Sequence, residues 1–154
     1  MAAKDSGEKL IASNKKALHD YFVLQKLEAG LELTGTEVKS LRDGKANLKD
    51  SYVAFEGGEA YLLSTHISPY THGNLQNHDP ERKRKLLLHK REIEKLRAQV
   101  VEKGLTIVPL RLYFKGGRVK TEIAVVRGKK LYDKRETEKR RDAEREAASA
   151  MKIR

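Results

Sequence analysis

The string Asp79-Pro80-Glu81-Arg82-Lys83-Arg84-Lys85-Leu86-Leu87-Leu88-His89-Lys90-Arg91 sets four consecutive cations beside one carboxylate. Glu81 cannot neutralise all four. They therefore repel one another until an anion arrives, and a phosphate backbone is the anion that fits a linear run. The plainer reading is a solvated basic helix start, although the helix macrodipole disfavours cations at an N-terminus. Ser13-Asn14-Lys15-Lys16-Ala17-Leu18-His19-Asp20-Tyr21 is a second basic string, with an amide and an imidazole able to read ribose and base edges. Arg42-Asp43-Gly44-Lys45-Ala46-Asn47 reads as a turn that presents Lys45 and Asn47. From Arg127 to Arg154, eleven Lys or Arg face six Asp or Glu, a surplus that suits either a charged partner surface or a solubilising tail.

Catalytic chemistry finds no such support. The histidines are His19, His66, His72, His78 and His89, and the two that fall in one loop-like stretch, His72 and His78, match no standard zinc spacing. There is no cysteine, so thiolate metal sites, disulfides and cysteine nucleophiles are excluded. No nucleophile elbow, phosphate-binding glycine loop or carboxylate pair is present. The expectation is a non-enzyme without metal or cofactor.

The whole chain carries the same signature. Its 154 residues include 33 Lys or Arg against 22 Asp or Glu, a net charge of +11, and such an excess points first to nucleic acid and second to an anionic membrane surface. Charged residues make up 36% and hydrophobic residues 38%, so the core must be small. No segment approaches the apolar length of a signal peptide or a membrane span, and a cytoplasmic location is expected.

Several elements must position these residues. Short runs alternate with period two: Leu18 to Leu27, Leu31 to Thr34, Ser51 to Phe55, Ala60 to Leu63, Leu105 to Phe114 and Val119 to Val126. Gly57-Gly58 and Gly116-Gly117 mark two hairpins. In the second, Val108, Leu110, Leu112 and Phe114 share one face, opposite Val119, Thr121, Ile123 and Val125, while Arg111, Lys120 and Glu122 take the wet side. Thr36 caps a short helix that runs to Arg42, and a basic amphipathic helix runs from about Lys85 to Lys103, stopped by Gly104. About six antiparallel strands with two or three helices and no βαβ alternation predict a mainly β, oligonucleotide-binding-type barrel. Residues 1–10 are expected to form a flexible start, 11–127 the barrel, and 128–154 a basic tail too poor in core formers to fold alone yet rich in helix formers.

Taken in order, Ser13-Asn14-Lys15-Lys16-Ala17, Leu27-Glu28-Ala29-Gly30-Leu31, Gly35-Thr36-Glu37-Val38-Lys39-Ser40-Leu41-Arg42, Gly44-Lys45-Ala46-Asn47, Arg84-Lys85-Leu86-Leu87-Leu88-His89 and Gly128-Lys129-Lys130-Leu131-Tyr132-Asp133-Lys134-Arg135 closely resemble the small protein B family, the SsrA-binding proteins of bacterial trans-translation. The resemblance covers nearly the whole chain. It implies an adaptor that grips the tRNA-like domain of transfer-messenger RNA, supports its alanylation, and accompanies it with elongation factor Tu to a stalled ribosome. Alanyl-tRNA synthetase and elongation factor Tu are then indirect partners through the RNA. The tail would lie in the empty mRNA channel near the small-subunit decoding centre, disordered when free and helical there. A ribosomal or general structured-RNA-binding barrel protein would share the composition.

Carried over by position, the resemblance implies RNA contacts at Asn14, Lys15, Glu28, Lys45, Asn47, Arg84, Lys85, Leu87 and His89. Leu86, Leu87 and Leu88 cannot all face one core from a helix, so one of them points outward. Glu28 can accept from base amino groups or orient a neighbouring cation. The decoding-site contacts would be Gly128, Lys129, Lys130, Tyr132, Asp133, Lys134, Arg135 and Met151. Tyr132 stands where other members can carry His or a basic residue; its ring keeps stacking available without the imidazolium charge.

Overall fold

The structure, a computed structural model, describes residues 7–71, 76–129 and 131–152, the side chains of 131–133 and 147–152 excepted. Nine strands lie among the described residues: β1 (Lys9–Ser13), β2 (Tyr21–Leu31), β3 (Ala46–Asn47), β4 (Tyr52–Glu56), β5 (Glu59–Leu63), β6 (His66–Ile67), β7 (Arg84–Leu87), β8 (Thr106–Lys115) and β9 (Arg118–Gly128). Four helices accompany them: α1 (Lys15–Asp20), α2 (Gly35–Arg42), α3 (Lys90–Lys103) and α4 (Leu131–Lys152). Seven strands form one antiparallel sheet in the order β1-β8-β9-β2-β7-β5-β4, and β3 pairs with β6. β4 returns alongside β8, which rolls the sheet into the expected barrel.

Both glycine hairpins form. Gly57-Gly58 and Gly116-Gly117 all have positive φ, 57° and 79° in the first turn and 58° and 76° in the second, the left-handed pair that a two-residue hairpin needs and that side chains resist. The expected face of β8, however, changes partway along. A register shift between Pro109 and Arg111 leaves Leu110 as an extra residue, so Val108 and Leu110 face a small cluster with Ala17, Ala124 and Val126. Leu112, beyond the bulge, joins the main core with Leu62, Leu86, Ile107, Ile123 and Val125. A bulge of this kind inverts a strand's alternation.

Other boundaries move as well. The run from Leu18 to Leu27 is not one strand: its first residues complete α1, where Ala17 is buried and the Asn14 side chain accepts from the Ala17 N–H at 3.1 Å. Leu31 closes β2 instead of opening a strand of its own. The short helix α2 is capped by Thr34, not Thr36, because Glu37 accepts from the Thr34 backbone N–H at 2.8 Å.

The largest correction concerns the expected helix from Lys85. Residues 84–87 are a strand, paired with β2 through Gly30↔Leu87 and with β5 through Tyr61↔Lys85. The helix starts at Lys90, where Glu92 accepts from the His89 N–H at 3.0 Å, and Gly104 ends it at φ 64°. Two strand edges that bond both sides of the segment outweigh the favourable helical propensity of Arg, Lys and Leu, which tertiary pairing readily overrides. Ile93 and Leu96 then pin α3 to the core.

Candidate nucleic-acid interface

Pairing alone fixes what the outer sheet face presents. Lys120, Gly30 and Leu87 stand in one row across β9, β2 and β7. Two residues on along β2, Glu28 stands opposite Glu122, which in turn faces Arg111 of β8; Tyr113 faces Lys120. Side chains alternate along a strand, so these polar groups share a face while Leu86, Ile123 and Leu112 fill the interior.

The face is cross-linked by charge. Tyr113 donates its hydroxyl to Glu28 Oε2 at 2.5 Å and Lys115 reaches the same oxygen at 3.2 Å. The Tyr113 bond, with the Lys115 contact behind it, holds the Glu28 carboxyl below its ordinary range. Burial, reinforced by Glu28, pushes the Tyr113 hydroxyl up. Arg111 lies over the Tyr113 ring at 4.6 Å and pairs with Glu8 at 3.3 Å and Glu122 at 3.4 Å. Lys85 is 3.6 Å from Glu59. Glu28, Lys85, Leu87 and His89, four residues expected to meet RNA, line one open recess together with Gly30, Glu59, Glu92 and Lys120. Leu87 is 52% exposed beside the fully buried Leu86, which resolves the leucine triplet by strand alternation.

Arg84 does not belong to this surface. It is wholly buried, with Nε 2.5 Å from Glu37 Oε2, Nη1 2.7 Å from the Thr65 carbonyl and Nη2 3.0 Å from the Pro80 carbonyl. Arg82 bonds the other Glu37 oxygen at 2.7 Å. Burial alone would raise the Glu37 pKa, but hydrogen bonds from Arg82, the Thr34 N–H and Arg84 bring it down to about 2. The four-cation run is thus divided. Arg84 and Arg82 hold α2 against the barrel through Glu37, Lys83 pairs with Glu56 and lies 4.7 Å over the Tyr61 ring, and Lys85 faces outward.

Asn14 is likewise an internal tie. It is buried, and its amide donates to the carbonyls of Pro109 at 2.9 Å and Leu48 at 3.3 Å. Lys15 is exposed on α1; Lys45 and Asn47 are exposed beside the β3–β6 ribbon, with Asn47 Oδ1 accepting from the Lys49 N–H at 2.8 Å. None of the three lines the recess of the sheet face. Arg111, Tyr113, Lys115 and Gly30 were missed as site residues, although the wet side of the last hairpin already carried Arg111 and Lys120.

The tail leaves from Gly128. The Lys129 N–H donates to the Asp20 carbonyl at 2.8 Å, and Lys129 Nζ reaches Leu18 O at 3.2 Å and Thr137 at 2.7 Å. His19 bridges Asp20 at 2.8 Å and Glu138 at 2.7 Å, and these two carboxylates, Asp20 first, raise its pKa. Lys134 lies 3.5 Å from Asp20, and Arg135 is exposed. Lys130 and His72 lie outside the described residues, as do the side chains of Tyr132, Asp133 and Met151. Among the described residues, no cluster of three or more His, Asp or Glu could hold a metal, and no helix is long and apolar enough to cross a membrane.

A small antiparallel barrel with a cross-linked, charged sheet face and a basic C-terminal helix defines the class: an oligonucleotide-binding-type barrel protein. The chain belongs to the SmpB protein family, whose model matches residues 11–153. It is 59% identical to the SsrA-binding protein of Geobacter sulfurreducens over 95% of both chains, and 61% identical to that of Geotalea uraniireducens over 96% of this chain and 97% of the relative. A solved chain from a structure described as "tmRNA-SmpB: a journey to the center of the bacterial ribosome" matches with TM-score 0.66 and 50% identity, covering 78% of this chain and 85% of that one.

Proposed function

We propose that this chain is a non-catalytic RNA-binding adaptor of trans-translation. It binds the tRNA-like domain of transfer-messenger RNA and accompanies it to stalled ribosomes. Full-length identity of about 60% to SsrA-binding proteins carries this reading, together with the likeness to the solved tmRNA-SmpB chain. The open recess around Leu87 supplies what folded RNA requires: cations for phosphate, fixed carboxylate acceptors for base edges, and an exposed apolar group for an unstacked base.

Glu28, Lys85, Leu87 and His89 contact the RNA directly, and Lys15, Lys45 and Asn47 form a second contact group. Asn14 and Arg84 act from inside, by fixing α1 and α2. The barrel, residues 11–127, and the tail, residues 128–154, divide the work. The barrel holds the RNA and supports its alanylation, while the tail occupies the empty mRNA channel, with Gly128, Lys129, Lys130, Tyr132, Asp133, Lys134, Arg135 and Met151 toward the decoding centre. Elongation factor Tu and alanyl-tRNA synthetase meet the complex through the RNA, in the cytoplasm.

The tail is helical over Leu131–Lys152 in the chain alone, where its composition led us to expect disorder, and we expect that helix to be marginal in solution. Its described contacts to the barrel are polar and few, too little burial to offset an ordering cost of about 1–2 kcal/mol per residue. Peptide tagging on ribosomes stalled without a stop codon tests the function as a whole. A deletion strain complemented by this chain should tag, and a strain that stays untagged at normal protein level contradicts the reading.

A further inference from the structure

The C-terminal end of α1 needs donors. A helix leaves its last carbonyls without intrahelical partners. In α1 the Ala17 carbonyl takes the Tyr21 N–H, and Lys129 of the tail meets two more: its backbone N–H donates to Asp20 O and its Nζ to Leu18 O. The same Nζ donates to the Thr137 hydroxyl at 2.7 Å, so one ammonium ties α4 to α1. Two ion pairs flank it, with one acid on each side: Lys134 of the tail against Asp20, and Glu138 of the tail against His19. Further along, Arg141, Glu144 and Arg145 face Lys15 and Leu18 across an open recess of about 440 Å³. Lys134, Thr137 and Arg141 are half-buried while Arg135, Lys139 and Arg140 are exposed. The i, i+3, i+7 stripe of the tail helix is therefore the side that faces the barrel.

We propose that the end of α1 is a holding seat for the tail, an intramolecular substitute for RNA phosphate, and that the free chain keeps its tail helix there until a polyanion takes the tail's cations. Lys129 and Lys134 each have one charge to place. While they serve the Leu18 carbonyl and Asp20 they cannot also serve a phosphate, so the seated tail and the RNA-bound tail exclude one another. The tail's apparent affinity for RNA is then reduced to the fraction of chains whose tail is free. The seat is built to yield. Its ion pairs are open to solvent, each weak and screened by salt, and the recess between the helices holds one apolar side chain, Leu18. A string of phosphates offers the same lysines several anions at once. The barrel thus carries its tail without capturing stray RNA and gives it up on a dense phosphate surface. The proposal goes beyond the RNA-binding reading and rests on it only for the destination, the ribosome.

The probe is a short polyuridylate oligonucleotide, which has no tRNA-like fold. Labels on the barrel and on α4 of the full chain should show energy transfer at low salt, and titration with the oligonucleotide should abolish it as binding saturates. Glu138→Gln and Asp20→Asn should each lower the starting transfer and tighten oligonucleotide binding by roughly twofold to fivefold, the scale of one exposed ion pair. Glu136→Gln makes the same charge change at an exposed position of the same helix; it should leave the transfer unchanged and tighten binding less. The chain has no cysteine of its own, so Leu18→Cys with Arg141→Cys, bridged by a flexible bis-maleimide, fixes the tail in its seat. Compared with the same variant capped by N-ethylmaleimide, the bridged chain should bind the tRNA-like domain of transfer-messenger RNA equally, bind polyuridylate several-fold more weakly, and fail to tag stalled ribosomes. A wild-type chain that does not tag, while the oligonucleotide results hold, keeps the seat and removes the ribosomal destination. Transfer that survives saturation with the oligonucleotide overturns the seat, as do equal effects of Glu138→Gln and Glu136→Gln, or a bridged chain that binds polyuridylate and tags like the capped one.

Discussion

At the residue scale, four adjacent cations have two different fates, and each has its own measurable consequence. Arg84 is enclosed with Glu37, so its removal opens a buried site and takes one of two guanidinium partners from a buried carboxylate, which keeps Arg82 and the Thr34 N–H. Arg84→Ala should cost about 3–5 kcal/mol in urea unfolding, the usual penalty for half of a buried ion pair. Lys85→Ala, on the surface, should leave stability within about 0.5 kcal/mol and weaken RNA binding instead. If the two variants exchanged these phenotypes, the division of the run would be wrong. Glu37 also sets an acid limit. Its folded pKa lies below the ordinary 4.5, at about 2, so its contribution is complete above 4.5 and is lost as pH falls toward 2, an effect on the order of 3 kcal/mol. Acid titration of the wild type should show that loss, and Glu37→Gln should be destabilised at neutral pH but flat through the same window.

At the element scale, the hairpins were legible because turn glycines and period-two alternation are local signals. The segment from Arg84 was not. Leu86-Leu87-Leu88 beside a basic helix has no local cue that tells strand from helix, and its state is decided by β2 and β5, far away in sequence. The same limit hid Arg84: a cation reads as exposed until the fold supplies Glu37 from α2. The bulge at Leu110, which shifts half of β8 to a second cluster, has no signature in an apolar run either.

The tail's helix-forming residues were readable, but a helix in the chain alone, seated on α1 through His19, was not; the sequence pointed to disorder without the ribosome. That seat makes a prediction. Because His19 is raised above its ordinary 6.5 by Asp20 and Glu138, the contact is strongest below 6.5 and weakens as pH rises through the raised value, with Lys134 and Lys129 remaining as the facing cations. Energy transfer between labels on the barrel and on α4 should therefore fall on alkaline titration, and Glu138→Gln should remove most of that pH dependence. Proline at both Glu138 and Ala143 should break the helix and leave every cation in place. Tagging should then fail while RNA binding stays normal; full-rate tagging would show that charge alone is read.

At the scale of the whole molecule, a net charge of +11 on 154 residues makes binding a matter of counterion release as much as of contacts. About five to eight phosphate contacts imply a log-log salt slope of roughly −4 to −7, and a chain stopped after Gly128 should keep its barrel and most of that slope. Charge alone, however, would bind any structured RNA. Selectivity is what separates an adaptor from a general RNA binder, and competition binding measures it: labelled tRNA-like domain of transfer-messenger RNA, near physiological salt, challenged with an excess of unrelated structured RNA of equal length. The complex should survive an excess of at least about a hundredfold, an affinity difference of some 3 kcal/mol. Displacement by an equimolar amount of the unrelated RNA would contradict it and leave only a general RNA-binding barrel.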